Sequence, residues 1–350
     1  MLKFTHCADF HLDFKQYGLQ QRYEDYFNTT EDIFIKSKEN NVDCIIIAGD
    51  IFNSKRPSGE SIKRFIEIKN KYKIPVYAID GNHDKAGHAW LDICGIGKLD
   101  KPVEIKGNVF LGIDYCRANQ FKEKLIELDE NNIKVDVLVM HQAISEMFDF
   151  GGGDFSTSWL VPAAKSLGVK YIAMGDIHSY SLKTIDGLSL SYPGSPEPTS
   201  VSQLGGTGFI NIVTLGDEVE IKKITLNSRE FIRVRASGDN TKLIRKIEQG
   251  YTPFVIIEYL NGEGLDLIGV LNEHGVMYQT RLLIDEEDSG EEKIVFDRYD
   301  AVKYVRQVTN KFFNENTEEY SLTVAILDDP EGGIDIMKEY LKTRGLLGGY

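Results

Sequence analysis

The stretch that decides the fold is CIIIAGDIF, residues 44–52. Its first five residues are apolar, and such an unbroken run predicts a strand buried on both faces of a sheet. The run stops at Gly49 and Asp50, where glycine lets the backbone turn sharply beside the carboxylate. Other apolar runs end in the same way, in DFH (residues 9–11), GNHD (81–84), His141 and GDIH (175–178). Because the carboxyl ends of strands in an α/β sheet converge on one crevice, we expect these polar side chains to meet.

A cluster of carboxylates in one crevice predicts bound metal ions. Unpaired carboxylates would repel one another, and divalent cations remove that repulsion. Mixed oxygen and imidazole ligands suit Mn, Fe or Zn, and they argue against a structural zinc site built from thiolates. Two metal ions about 3.5–4 Å apart are a standard arrangement for in-line attack on phosphorus. The sequence therefore predicts two divalent ions, with the aspartate in the middle, Asp50, bridging them.

Composition narrows the class of protein. The chain has 350 residues, too many for one ordinary core, and its formal net charge of −14 argues against a surface coated in positive charge. A local basic groove or a metal site could still hold nucleic-acid phosphates. The four cysteines show no C-x-x-C spacing, so we expect reduced thiols. The N-terminus MLKFTH is too short and polar for a signal peptide, and no apolar run approaches the roughly 20 residues of a membrane span. With no long basic or disordered tail either, we expect a soluble cytoplasmic protein of a prokaryotic cell or a virus-infected host, without a membrane partner.

Hydrophobic periodicity divides the chain into three parts. Residues 1–226 alternate apolar runs with helical patterns and then change to strands separated by turns, which predicts a layered α/β domain with parallel and antiparallel strands. Residues 227–285 predict a small βαβαβ unit, and residues 286–350 predict a polar linker and two amphipathic helices, at 299–313 and 333–344. The predicted strands are 2–8, 43–48, 74–79, 135–140, 171–174, 184–185, 188–192, 208–215, 219–225, 231–236, 254–260 and 277–284. The helices predicted before the tail are 22–40, a helix that begins after a cap at Ser58, 241–248 and 265–273.

Taken in order, these motifs resemble the calcineurin-like metallophosphoesterase superfamily, with D-x-H, G-D, G-N-H-D, a later His and a terminal G-x-x-H over residues 1–226. Four longer stretches resemble the SbcD/Mre-eleven nuclease family of double-strand-break repair, namely HCADFHL (6–12), AGDIF followed by RPS (48–52 and 56–58), IDGNHD (79–84) and YPGSPE (192–197). The resemblance implies an α/β fold, the two-sheet αββα metallophosphoesterase sandwich. It also implies that residues 227–285 form a small α+β DNA-capping domain and that residues 286–350 form a C-terminal helical tail.

The same resemblance assigns the metal ligands. It implies that the first metal takes Asp9, His11 and His178, that the second takes Asn82, His141 and Asp176, and that Asp50 bridges both. Asp176 is a departure, because the family usually has G-H-x-H where this chain has GDIH. A carboxylate at this position adds negative charge and favours harder ions such as Mn or Mg. His6 lies inside the first strand, so we expect it in the core and not at the metals.

Further residues are assigned to catalysis and to DNA. The histidine of G-N-H-D, here His83, would lie at the phosphate and stabilise charge or protonate the leaving oxygen. Asn53 stands where the family often has a second active-site histidine, and an amide can donate a hydrogen bond but cannot transfer a proton. Lys55, Arg56 and Lys85 flank the predicted site, where they could contact DNA phosphates or be ordinary exposed cations.

The resemblance implies a metal-dependent DNA nuclease with 3′–5′ exonuclease and single-strand endonuclease activity, acting by two-metal hydrolysis of phosphodiesters. It would be the homodimeric catalytic subunit of an SbcCD-like recombination and repair complex, with Mn as the expected metal and Mg, Fe or Zn as alternatives. The helical tail would bind an SbcC/Rad-fifty-type SMC-like ATPase, although its apolar stripes could equally pack on the protein's own core. Two other functions stay open: a metallophosphoesterase for small phosphodiesters or phosphoproteins, and an inactive scaffold of the same fold.

Overall fold

The computed structural model describes residues 1–84, 90–147, 153–200, 203, 207–259 and 265–282. The predicted linker and tail helices, and with them Lys85, lie outside the described residues. Within this part of the chain, no helix combines the length and the apolar composition that crossing a membrane requires.

Strands and helices alternate along the chain as the apolar runs predict. The described strands are β1 Leu2–Cys7, β2 Cys44–Ala48, β3 Val76–Ile79, β4 Gly97–Lys98, β5 Val103–Ile105, β6 Asn108–Ile113, β7 Val137–His141, β8 Tyr171–Gly175, β9 Ser181–Ile185, β10 Leu188–Tyr192, β11 Phe209–Leu215, β12 Val219–Thr225, β13 Phe231–Arg235, β14 Phe254–Tyr259 and β15 Tyr278–Leu282. The described α-helices are α1 Gln20–Glu39, α2 Gly59–Tyr72, α3 Trp90–Ile93, α4 Ala118–Glu130, α5 Thr157–Ser166, α6 Thr241–Glu248 and α7 Leu265–Glu273. Every predicted strand is confirmed, and so is the cap of α2, where the Ser58 side chain accepts a hydrogen bond from the backbone N–H of Ser61.

Two six-stranded sheets carry the fold. The first has the order β12-β11-β1-β2-β3-β4, and the second has the order β5-β6-β7-β8-β10-β9. The strands β1-β2-β3-β4 of the first sheet and β6-β7-β8-β10 of the second are parallel. The pairs β12-β11 and β11-β1 of the first sheet and β5-β6 and β10-β9 of the second are antiparallel. The mixed sheets expected from the sequence are therefore confirmed, and the parallel strands all point their carboxyl ends to one side.

The two sheets pack face to face, with helices on both outer faces. Ile46 of β2 and Phe110 of β6 belong to the apolar cluster between the sheets. Their strand neighbours alternate, so that Ile45 and Ile47 point instead to a cluster shared with α1, α2 and α3. A third cluster joins the second sheet to α4 and α5. This is the predicted αββα sandwich.

A third sheet follows the sandwich in sequence. Its strands β13, β14 and β15 are parallel and are connected by α6 and α7, which confirms the predicted βαβαβ unit. The other face of this small sheet packs on the sandwich, because the rings of Phe231 and Phe254 stack on each other and Tyr17 stacks on Phe254. Met1–Asp149 and Gly153–Asp285 form one compact unit, and the domain boundaries at 226 and 285 stay predictions.

Replacing Ile46 by alanine tests the core between the sheets. Ile46 is fully buried, and a change from isoleucine to alanine in a packed core costs about 2–5 kcal/mol. Ile126 on α4 is exposed, so Ile126→Ala should cost less than ~0.5 kcal/mol. Thermal unfolding followed by circular dichroism should give a clearly lower melting temperature for Ile46→Ala alone. Equal shifts in both variants would contradict the burial of β2.

Candidate metal centre

The ends of five parallel strands supply the polar residues of the site. Asp9 and His11 follow β1, Asp50 follows β2, Asn82 and His83 follow β3, His141 ends β7, and Asp176 and His178 follow β8. Strands β1, β2 and β3 belong to the first sheet, and β7 and β8 belong to the second. The site therefore lies at the carboxyl edge of both sheets, as the recurring strand ends predict.

The loops that carry these residues adopt unusual backbone conformations. Asp9, His11, Asp50 and Asp176 all have positive φ angles, of 57°, 46°, 54° and 88°. Residues other than glycine rarely adopt this left-handed region, and its cost is typically accepted where function fixes the geometry. Backbone hydrogen bonds hold two of these residues to the neighbouring loop, from Asp9 N to Gly49 O at 3.1 Å and from His11 N to Asp50 O at 3.1 Å.

Close approach of the loops explains two of the glycines. A Cβ atom on Gly81 would collide with the carboxylate and the backbone nitrogen of Asp50. Gly49 has a φ of +90°, and a Cβ atom there would collide with the ring of His141. The loop after β3 can thus approach Asp50, and the loop after β2 can approach His141, only because these two positions have no side chain.

Three groups of side chains bring possible metal ligands together. In each group the ligand atoms lie within 4.8 Å of one another, and the groups are Asp9/His11/His178, Asp9/Asp50/His141 and His11/Asp50/His83. In the first group, the Nε2 atoms of His11 and His178 are only 3.1 Å apart. Asp50 belongs to the other two groups and faces three imidazoles with one oxygen. Its Oδ2 lies 3.4 Å from His141 Nε2, 3.8 Å from His11 Nε2 and 4.0 Å from His83 Nε2.

Asn82 completes the second set of possible ligands. Its Oδ1 atom lies 3.1 Å from Nε2 of His141, and that nitrogen also faces Asp9 Oδ1 at 3.9 Å. Two ligand atoms at right angles around one ion, each about 2.1 Å from it, would be about 3.0 Å apart. The short separations at this site are close to that value, so the donor atoms fit divalent cations.

Hydrogen bonds on the far side of the imidazoles support the same fit. Nδ1–H of His141 donates to the carbonyl oxygen of Ala48 at 2.6 Å. Nδ1 of His178 lies 2.6 Å from Oγ1 of Thr199, whose own hydroxyl donates to Gln203. The Thr199 oxygen therefore accepts from Nδ1–H of His178. Both rings then present the lone pair of Nε2 to the centre, as metal-binding histidines do.

The electrostatics of the site call for positive charge. Burial is the main cause that raises the pKa of Asp9 to about 8, and the carboxylates of Asp50 and Asp176 raise it further. The charge of His141 lowers this pKa, but by less than burial raises it. Burial alone would lower the pKa of His141, but the charge of Asp50 outweighs it and the pKa lies well above its usual value. One oxygen of Asp9, Oδ2, is buried and makes no hydrogen bond within the described residues. A bound cation would satisfy this oxygen and replace the protons.

Residues 2–180 match the family model for calcineurin-like phosphoesterases. The chain belongs to this family. The matched residues include every predicted metal ligand and His83, and they cover the five strand ends that form the site. The predicted metallophosphoesterase fold is thereby confirmed.

Relatives of this phosphoesterase carry a more specific name. It is 31% identical to the DNA double-strand break repair protein Mre11 of Archaeoglobus fulgidus, over 63% of this chain and 55% of the relative. It is 27% identical to the protein of the same name from Haloferax volcanii, over 75% of this chain and 62% of the relative. The chain thus spans less than two thirds of the length of these two relatives. With the Mre11 of Methanococcus maripaludis, 28% identity extends over 97% of this chain and 99% of the relative.

His83 and Asn53 meet in this phosphoesterase, but in an unexpected way. Nδ1–H of His83 donates to the backbone carbonyl oxygen of Asn53 at 2.8 Å. The backbone N–H of His83 also donates to Oδ1 of Asp50 at 2.9 Å. The contact that orients His83 thus comes from the main chain of Asn53. A catalytic role for the amide side chain of Asn53 stays a prediction.

The remaining predicted residues are less closely tied to the centre. The backbone N–H of Asp176 donates to Asp9 Oδ1 at 3.1 Å, while its carboxylate belongs to none of the three groups, and its role as a ligand stays a prediction. Lys55 and Arg56 are exposed, and their contacts with DNA stay predictions. His6 is fully buried and hydrogen-bonded within the core, so its core role is confirmed.

Sequence reasoning gave no role to two residues that support the site. The carboxylate of Asp84 accepts hydrogen bonds from the backbone N–H groups of Ile51, Phe52 and Gly81, at 3.0, 2.9 and 3.3 Å. It thus fixes the loop directly after Asp50, and its place in the GNHD motif was the available signal. Thr199 has no such motif, and only the folded chain brings it to His178.

Replacing Thr199 by valine tests the orientation of His178. The change removes the hydroxyl and keeps the shape, so His178 loses the partner that fixes its ring. Residues in such positions typically change metal affinity about 10–100-fold, and we expect Mn²⁺ binding to weaken to this extent, as measured by calorimetric titration. Thr199→Ser keeps the hydroxyl and is the matched control. Wild-type affinity in Thr199→Val would show that this contact does not orient the ligand.

Proposed function

We propose that this chain is a metal-dependent DNA nuclease that acts in double-strand-break repair. Membership of the calcineurin-like phosphoesterase family supports hydrolysis of phosphate esters. The name of its relatives, DNA double-strand break repair protein Mre11, supports DNA as the substrate. On this proposal the activity comprises 3′–5′ exonuclease and single-strand endonuclease cleavage.

The observation that carries the proposal is the position of Asp50 between two sets of possible ligands. Its Oδ2 atom lies 3.4 Å from Nε2 of His141, in one set, and 3.8 Å from Nε2 of His11, in the other. We assign Asp9, His11 and His178 to one ion and Asn82, His141 and Asp176 to the other, with Asp50 shared. When bound, divalent ions, with Mn expected, neutralise the charge of a phosphodiester and lower the pKa of water.

On this proposal, His83 assists the departure of the leaving oxygen. Nδ1 of His83 keeps its proton through the hydrogen bond to the Asn53 carbonyl. The second ring nitrogen, Nε2, faces Asp50 and the ligand groups, and the side chain of His83 is partly exposed. When the ring is protonated, Nε2 holds a proton that it can give to the departing oxygen, which is general-acid catalysis.

Partners follow from the same proposal. We propose that residues 227–285 cap bound DNA and that Lys55, Arg56 and Lys85 contact its phosphates. The nuclease would act as a homodimer, and residues 286–350 would bind an SbcC/Rad-fifty-type ATPase. The support for these partners is the similarity to the Mre11 relatives and the βαβαβ unit that follows the sandwich.

Cleavage assays with Asp50→Ala test the proposed function. The wild type with Mn²⁺ should degrade linear duplex DNA and circular single-stranded DNA, and Asp50→Ala should lose both activities because neither ion keeps its shared ligand. Asp129→Ala, at an exposed aspartate on α4, is the matched control and should cleave like the wild type. Hydrolysis of bis-p-nitrophenyl phosphate without any DNA cleavage would favour a small-ester phosphoesterase. Absence of activity and of bound metal would favour the inactive scaffold.

Replacing His83 by glutamine separates proton transfer from metal binding. General acid catalysis typically contributes about 10²–10⁴-fold, so we expect kcat on DNA to fall by that factor. Metal content, measured by mass spectrometry of the purified protein, should stay at the wild-type value. His274→Gln, at an exposed histidine after α7, is the control and should change neither quantity. Loss of metal in His83→Gln would instead make His83 a ligand.

A further inference from the structure

A cavity of about 270 Å³ borders the metal centre. Its lining includes His178, Tyr180, Pro193, Pro198, Gln203 and Phe209. Small-molecule sites typically have volumes of roughly 300–1,000 Å³, so this cavity has room for one small planar group. Because His178 lines both the cavity and the candidate metal centre, a molecule in the cavity would lie next to the ions.

Two aromatic rings form one wall of the cavity. Tyr180 lies just before β9, in the second sheet, and Phe209 begins β11, in the first. Their ring centroids are 5.6 Å apart and their planes make an angle of 69°, an edge-to-face contact. Both residues are half-buried, so the pair stands at the surface where the two sheets meet.

A lysine on β12 contacts both rings. The Nζ atom of Lys223 lies 3.8 Å from the ring centroid of Tyr180 and 3.6 Å from that of Phe209. These are cation–π contacts, and no charged side chain within the described residues partners this lysine. Lys223 does not itself line the cavity, but it brings a positive charge, without a carboxylate partner in the described part of the chain, to two of the rings that do, beside the candidate metal centre.

We propose that this cavity binds a nucleobase of single-stranded DNA, with the ring of Tyr180 as the stacking surface and Lys223 as the contact for a backbone phosphate. Because the planes of Tyr180 and Phe209 make an angle of 69°, a planar base stacks on only one of the two rings, and Phe209 supports the ring of Tyr180 edge-to-face. The inference rests on the proposed nuclease function and names a base-binding subsite of the same site. Proteins that bind single strands combine aromatic rings, on which bases stack, with cations that follow the backbone. A base held beside His178 positions the adjoining phosphodiester at the ions.

Cleavage of oligothymidylates with one abasic residue at successive positions tests the subsite. Loss of one base–aromatic stack corresponds to roughly 5- to 150-fold in affinity. In the wild type, one abasic position near the scissile phosphate should raise KM by a factor in this range. Tyr180→Leu should raise KM for the intact oligonucleotide by a similar factor. In this variant, the abasic residue at that position should cause no further rise in KM, whereas Tyr180→Phe should behave like the wild type.

The charge of Lys223 is tested by the salt dependence of binding. One phosphate contact to a single strand contributes a slope of about 0.7 in a plot of log affinity against log salt. Lys223→Gln should reduce the slope by this amount. Lys222→Gln is the matched control, because the side chain of Lys222 is exposed on the opposite face of the same strand, and its slope should equal that of the wild type.

Three results would overturn the subsite. The first is an abasic scan in which KM is the same at every position. The second is a salt slope in Lys223→Gln equal to that of the wild type. The third is a loss of activity in Tyr180→Leu that is equal for the oligonucleotide and for bis-p-nitrophenyl phosphate. The last result would show that Tyr180 only supports the metal centre. A wild-type protein that hydrolyses the small ester but neither binds nor cleaves DNA would overturn the proposed function itself, whereas DNA cleavage with a flat scan overturns the subsite alone.

Discussion

The mutual approach of buried carboxylates and imidazoles at Asp50 is the constraint on which the rest of the site depends. Asp9 and Asp50 are both almost fully buried, and burial of such charges is costly unless opposite charge is close. The sandwich supplies the geometry, because parallel strands of two sheets end on the same side. The chain accepts left-handed backbone at four of the site's residues in order to bring the ligand atoms together. The same residues, Asp9 and Asp50 among them, would hold divalent cations, whose charge would offset the repulsion that this arrangement creates.

A buried ionic network joins the site to the third sheet. The guanidinium of Arg22 is fully buried and binds the carboxylates of Asp25 and Glu197, at 2.7 and 2.8 Å. Arg229, just before β13, binds the same Asp25 through two nitrogens, at 2.6 and 2.7 Å. Glu197 is two residues before Thr199, the residue that orients His178. The network thus ties the segment with Glu197 and Thr199 to the start of the third sheet. Removing one partner of such a buried network would leave an uncompensated charge.

The parts of the site that the sequence predicts are those that lie within one short motif at the end of one strand. Asp50 and His141 could be placed at the crevice in this way, since an apolar run marks each strand and the topology of α/β sheets brings strand ends together. Support from a distant part of the chain could not be predicted. Thr199 reaches His178, and Glu197 reaches Arg22, only through tertiary packing. The main-chain contact of Asn53 was also beyond reach, because residue type reveals side-chain chemistry and not the direction of a carbonyl group.

The central claim is that Asp50 bridges two divalent ions, and anomalous diffraction from crystals grown with Mn²⁺ tests it most directly. The structure predicts two anomalous peaks, one on each side of the Asp50 carboxylate and about 3.5–4 Å apart. One peak should lie among Asp9, His11 and His178, and the other beside Asn82 and His141. A single peak, or two peaks that do not share Asp50, would contradict the account.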